Sequence, residues 1–165
     1  MTTIVYRDGV LAADCQMLVA GDSANRYYFK GTKIYRPACK TLVYASTGMN
    51  YDATTQALLT NALKMGIAEL AADGITPRVR KLIYELFTKE TIVCTKTKVY
   101  HIRKGDMVEL SPEIPWLTVG SGTCFSGLAL QKGLNAKASV EFANKMDVLS
   151  GFGVETVLLN KLRKS

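Results

Sequence analysis

The chain has 165 residues, 48% hydrophobic and 21% charged, which is ordinary globular composition near the size of one domain spanning 1–165. At this length folding buries roughly 68–70% of the surface that the unfolded chain exposes, so disulfides or metals are not needed as staples. No charged-then-apolar leader is evident and no apolar run approaches the ~18 residues of a membrane span, so the expected location is the cytoplasm, and the net charge of +7 leaves a polyanionic partner to be weighed.

In chain order, Thr2 to Val5 and Val10 to Asp14 are β-rich runs around Arg7-Asp8-Gly9, a hairpin signal. After a polar, Gly-containing connection, Lys33–Tyr35 and Thr41–Ala45 read as two more strands separated by Pro37, so four strands precede any helix. Asn50 can cap a helix with Leu59, Leu63, Ile67 and Leu70 on one face, and Gly74 suits its end. Thr76-Pro77 starts a second, in which Val79, Leu82, Ile83 and Leu86 form the apolar stripe and Arg78, Arg80 and Lys81 lie outside it.

From Thr91 to Leu110 β-branched residues return, with Lys104-Gly105-Asp106 as a turn, which predicts two or three antiparallel strands. A strand near Leu117–Val119 follows, then helices over Gly122–Lys132 and Ala136–Met146 split by Gly133, and a buried strand from Val154 to Leu159. Runs of strands and runs of helices, rather than strict alternation, predict an α+β sandwich in which helices cover antiparallel sheets.

Cys15, Cys39, Cys94 and Cys124 are too dispersed for a CxxC pair or a metal knuckle with the single His101, so they read as reduced packing residues and neither metal nor cofactor is expected. The basic residues are spread over the second helix, a hairpin carrying Lys96, Lys98, Arg103 and Lys104, and a tail with Lys161, Arg163 and Lys164, the pattern of a solvated surface. Aromatic residues do not interleave with them, which argues against a nucleic-acid platform.

Removal of Met1, which a small second residue favours, would leave Thr2 with a free α-amine of reference pKa about 7.7–8.0. That amine can deprotonate the hydroxyl of its own residue, so nucleophile and base come from one position and no catalytic histidine is required. Alone, Thr2 carries little, because many chains begin Met-Thr. Its context carries more. The segments Thr2-Thr3-Ile4-Val5, Gly9-Val10-Leu11-Ala12-Ala13-Asp14 and Gly31-Thr32-Lys33-Ile34 resemble the opening of proteasome β subunits and their bacterial HslV-type relatives. Gly120-Ser121-Gly122 and Asp147-Val148-Leu149-Ser150-Gly151 continue the resemblance near the other end.

The resemblance implies a four-layer αββα sandwich of the N-terminal-nucleophile (Ntn) hydrolases and a threonine-type endopeptidase acting on peptides or unfolded protein. It assigns Thr2 as nucleophile, Lys33 as the ammonium that favours the deprotonated oxygen, and Asp14 as the group that holds Lys33 charged. Ser121, Asp147 and Ser150 would surround the amine, and the Ser46 N–H would occupy the oxyanion position. Family members form closed rings with inward-facing sites, and an ATPase unfoldase is a partner the sequence itself does not identify. The stretch from Thr2 to Asp14 is a few residues shorter than the family's; a symmetrically shortened hairpin keeps Thr2 opposite Asp14, whereas an asymmetrically shortened one does not and would start the chain inside the first strand, without a nucleophile. Ser46 stands where the family has glycine, and its side chain would narrow the site.

Each position has a plainer reading. Asp14 could end a strand, Lys33 could be a surface lysine, Ser121 could cap a helix, and Asp147 and Ser150 could bond free groups at a helix end. A second hypothesis is a catalytically silent relative that uses the same cleft and its Lys33-bearing floor to bind a small anion, such as a nucleotide, a use that the net charge of +7 favours. A serine or cysteine hydrolase is remote, since Gly120-Ser121-Gly122 is not GxSxG and only His101 could serve as base.

Overall fold

A computed structural model of the chain describes residues 2–19, 27–48 and 51–164. Six strands come first: β1 (Thr3–Arg7), β2 (Val10–Asp14), β3 (Gln16–Val19), β4 (Tyr27–Lys30), β5 (Ile34–Tyr35) and β6 (Leu42–Ser46). Helices α1 (Ala53–Ala72) and α2 (Pro77–Leu86) follow, then β7 (Thr91–Thr95), β8 (Val99–Arg103), β9 (Asp106–Glu109) and β10 (Trp116–Gly120). The chain closes with α3 (Thr123–Gln131), α4 (Ala136–Met146), β11 (Val154–Leu158) and a single 3-10 turn, Leu159–Lys161.

The first hairpin closes through Asp8 and Gly9, both at positive φ (50° and 73°), a combination that matches the right-handed twist of the flanking strands. β1 and β2 form the centre of an antiparallel sheet ordered β10-β1-β2-β11, and β5 to β9 pair in sequence as a second antiparallel sheet. Period-two alternation gives each strand two destinations. Ile4, Leu11 and Ala13 meet Val43, Ala45, Ile92 and Cys94 between the sheets. Leu42 and Tyr44 face the other way, onto Leu59, Leu63, Val79 and Ile83 of α1 and α2. Val5 and Ala12 pack on Leu130, Ala136 and Val140 of α3 and α4. Three apolar layers therefore separate four structural ones, the expected αββα sandwich.

Three details depart from the sequence expectations. Among the described residues six strands, not four, precede the first helix: the connection after Asp14 contains the paired strands β3 and β4, whose runs Gln-Met-Leu-Val and Tyr-Tyr-Phe-Lys flank a polar stretch. β11 is not buried. Among the described residues it pairs only with β2, at the edge of its sheet, and Thr156 and Leu158 are exposed. Asn50, expected to cap α1, lies outside the described residues; the cap is Asp52, which accepts the Thr55 N–H at 2.7 Å. Thr76 caps α2 with Pro77 at its first turn, as expected. Gly74 lies just beyond α1 at φ 101°, its N–H on the Glu69 carbonyl, the left-handed stop that glycine supplies without strain. All four cysteines are free; Cys15 and Cys94 are buried and Cys124 is exposed.

Candidate active site

β2 ends in Asp14 and the segment before β5 carries Lys33, so the two sheets bring together residues far apart in the chain. Lys33 Nζ donates to Asp14 Oδ1 at 2.9 Å and Oδ2 at 2.8 Å. Lys33 is 3% exposed and Asp14 is fully buried, which rules out a surface lysine. Burial pulls the Lys33 ammonium below the ordinary lysine value, and the charge and hydrogen bonds of Asp14 oppose that shift. Asp14 also accepts the backbone N–H of Thr3 at 2.6 Å, of Gln16 at 3.1 Å and of Gly151 at 3.4 Å. A carboxylate with this many donors keeps its charge solvated by the protein, the condition under which a buried ion pair is tolerated.

The register shows that the hairpin is not shortened symmetrically, although β1 begins only at Thr3, so Thr2 precedes the strand. Ile4 pairs with Ala13, so Thr3 faces Asp14 and Thr2 lies one residue further out. The spacing alone could not separate these, because a one-residue slip in a hairpin exchanges the faces of every side chain. Asp14 Oδ1 accepts from both Thr3 N–H and Lys33 Nζ, so a single carboxylate oxygen links the ammonium to the peptide that carries Thr2. Thr2 is 1% exposed, and its hydroxyl has no hydrogen-bond partner among the described residues. Orphaned buried hydroxyls are uncommon and ask for an explanation.

β10 brings Gly120 against this peptide. Gly120 has φ 104°, and a Cβ there would come within 1.7 Å of the Thr2 carbonyl oxygen; a Cβ on Gly122 would come within 2.0 Å of Thr3 Oγ1. The two glycines let the backbone close on Thr2 and Thr3 and present Ser121 between them. Ser121 does not cap α3: Gly122 is the cap residue, and no side chain bonds there. Instead Ser121 Oγ donates to Asp147 Oδ2 at 2.8 Å, and Ser150 Oγ donates to the same oxygen at 2.9 Å. Ser150 has thereby used its one proton, so in the 2.7 Å contact between Thr3 Oγ1 and Ser150 Oγ the threonine donates. The result is a directed chain, Thr3 to Ser150 to Asp147, met by Ser121. Burial would raise the Asp147 pKa, but the Leu149 N–H and the two serine hydroxyls outweigh it and hold the carboxyl below its usual value.

Ser46 ends β6. The Thr47 N–H donates to Glu90 O on the β7 side, so by the alternation of an antiparallel ladder the Ser46 N–H points to the β5 edge. Pairing of Ile34 with Ala45 sets Ser46 opposite Lys33. The serine side chain does not narrow that edge: it bonds Thr91 Oγ1 at 3.0 Å and Tyr51 Oη at 3.3 Å. His101 stands apart on β8, its Nε2 3.7 Å from Glu90 Oε1, a carboxylate oxygen shared with Arg103 Nε at 3.2 Å.

Sequence reasoning missed Glu155. From β11, where it pairs with Ala13, its Oε1 accepts the N–H groups of Lys33 and of Ile34, the latter at 2.9 Å. Its Oε2 accepts the Thr32 hydroxyl at 2.6 Å and lies 3.4 Å from Arg36 Nη1. No motif flags it, because a glutamate in an edge strand is an ordinary surface residue until its acceptors are known.

No protein-family model matches the chain, and no curated protein sequence matches it. Solved structures do. Eukaryotic HslV from Trypanosoma brucei superposes with a TM-score of 0.62 at 16% identity, over 94% of this chain and 97% of that one. The fold is that of the HslV-type, proteasome-like proteins. The Anbu complex from Pseudomonas aeruginosa, solved as a helical assembly, matches at a TM-score of 0.61 and 14% identity, over 96% of this chain and 80% of that one. BPH from Thiobacillus denitrificans, solved in complex with epoxomicin, matches at 0.56 and 16%, over 94% and 96%.

Proposed function

We propose that the chain is a single Ntn-hydrolase domain of the proteasome-like family, a cytoplasmic threonine-type endopeptidase that becomes active when Met1 is removed. The observation that carries this is the Thr2 hydroxyl, buried and without a hydrogen-bond partner among the described residues, on the residue whose peptide link to Thr3 donates to the same Asp14 oxygen as Lys33, in a proteasome-like fold. With Met1 gone, the Thr2 α-amine takes the proton of Oγ1, and the oxygen attacks the scissile carbonyl carbon. Lys33 stabilises the developing alkoxide, and the Ser46 N–H, opposite Lys33, is the candidate donor to the carbonyl oxyanion. The carbon–nitrogen bond breaks, the departing amine leaves with the proton, and an ester on Thr2 remains. Water then attacks the ester carbon, giving a proton to the α-amine; the carbon–Oγ1 bond breaks, Oγ1 takes that proton back, and the carboxylic acid product leaves with Thr2 restored. Ser121, Asp147 and Ser150 orient the amine and relay its proton.

The silent-binder alternative needs Lys33 as an anion site. Its engagement by both oxygens of Asp14 counts against that use. Peptides or unfolded protein segments are the proposed substrates, and self-association into a closed ring would enclose the sites. An ATPase unfoldase is a partner for such a ring. The test is a peptide reporter assay on chain whose amino terminus is verified as Thr2 by intact mass. Hydrolysis that disappears in Thr2→Ala supports the reading; equal hydrolysis by both chains refutes it.

A further inference from the structure

Lys33 is held at two ends by carboxylates from adjacent, paired strands. Asp14, at the end of β2, takes its ammonium, while Glu155 of β11 takes the backbone around its Cα. Among the described residues β5 is a two-residue strand, Ile34–Tyr35, at the edge of its sheet, paired with β6. Glu155 accepts the Lys33 N–H and the Ile34 N–H with one oxygen and fastens Thr32 and Arg36 with the other. Because β11 belongs to the first sheet and β5 to the second, this carboxylate also sets the spacing between Lys33 and the strand hairpin that bears Thr2.

We infer that Glu155 is a positioning residue for hydrolysis: it acts through Lys33, fixing where the ammonium stands relative to the Thr2 hydroxyl, and never touches substrate. The inference rests on the reading of Thr2 and Lys33 given above. A misplacement of roughly 1 Å in a reacting geometry can cost about 10²-fold in rate, which is the scale a loosened Lys33 segment would lose.

The experiment uses full chain beginning at Thr2, with Glu155→Ala, Glu155→Asp and Glu155→Gln. Glu155→Ala removes all acceptors and should lower kcat by about 10- to 100-fold with KM changed little. Glu155→Asp keeps the charge but withdraws it by a methylene and should fall similarly. Glu155→Gln retains an acceptor oxygen for the two N–H groups and should keep kcat within about fivefold. A second readout does not depend on turnover: the NMR signal of the Lys33 Cε–Nζ group should move in Glu155→Ala and Glu155→Asp and stay near its original position in Glu155→Gln. Full kcat together with an unmoved Lys33 signal in Glu155→Ala, or in Glu155→Asp should the alanine variant not fold, overturns the inference. Absence of turnover in the parent chain would instead overturn the hydrolase reading, and the Lys33 signal would still decide the positioning.

Discussion

Lys33 Nζ bonds both oxygens of Asp14, and Oδ1 of that carboxylate also takes the Thr3 N–H, so the charge of the ammonium is anchored to the strand that begins beside Thr2. The geometry is built for a compact ammonium. Lys33→Arg places a planar, bulkier guanidinium in a sealed space and should fail nearly as badly as Lys33→Ala, each losing about 10²–10³ in kcat. Asp14→Asn should lose comparable activity and also stability, because it leaves a buried lysine without its counter-charge. Reporter kinetics and thermal melts on the three variants check this; full turnover in Lys33→Arg would remove Lys33 from the active site.

The pH profile of kcat/KM should be bell-shaped. On the acid side, activity rises as the Thr2 α-amine loses its proton, with a reference value of about 7.7–8.0. Asp147, held below the usual carboxylate value, stays ionised throughout that rise. On the alkaline side, activity falls as Lys33 loses its charge, and because burial lowers its pKa the fall should come before the 10.5 of an ordinary lysine. A plateau that persists beyond that pH contradicts the role of the ammonium.

Gly120→Ala tests the structure without reference to catalysis. The added Cβ would meet the Thr2 carbonyl oxygen at 1.7 Å, against backbone that cannot swing aside, and φ 104° is unfavourable for any L side chain. The conformational strain alone is worth about 1–3 kcal/mol, and the overlap adds to it. Gly133→Ala, where φ is 88° but nothing lies within 4 Å of the new Cβ, should cost only the strain. Denaturant unfolding should therefore rank Gly120→Ala well below Gly133→Ala; equal stabilities would contradict the described approach of β10 to Thr2.

Self-association should be visible by light scattering at micromolar concentration. Met146 at the end of α4 and Val148 and Phe152 in the following loop, which carries Asp147 and Ser150, are exposed, with Val148 87% accessible, an apolar rim that a lone subunit has little reason to keep in water. Changing all three to serine should weaken the assembly. A concentration-independent monomer would count against an enclosed site while leaving the fold untouched.

The limits of the sequence reading have physical causes. α4 and β2 were legible to the residue, since a clean apolar period bounded by Asn135 and Asp14 leaves little choice. Asp14, Lys33, Ser121, Asp147 and Ser150 could be singled out only together, because an acid, a lysine or a serine at a strand or helix end is common alone. The register that puts Thr3 rather than Thr2 across from Asp14 was not legible, because turn length and hairpin shortening trade against each other. β3 and β4 were hidden by the polar stretch between them. Glu155 lay beyond reach altogether: it bonds the backbone of Lys33, 122 residues away, and main-chain amides leave no mark on composition or motif.

In the proposed mechanism Thr2 Oγ1 forms a covalent ester with the acyl half of the substrate. The most direct measurement is an acid quench of chain beginning at Thr2 during turnover of an acylated peptide reporter, followed by peptide mapping with tandem mass spectrometry. The acyl mass is expected on the hydroxyl of Thr2, absent in Thr2→Ala and undiminished in His101→Ala. An acyl group found on another residue, or turnover that continues in Thr2→Ala, would contradict it.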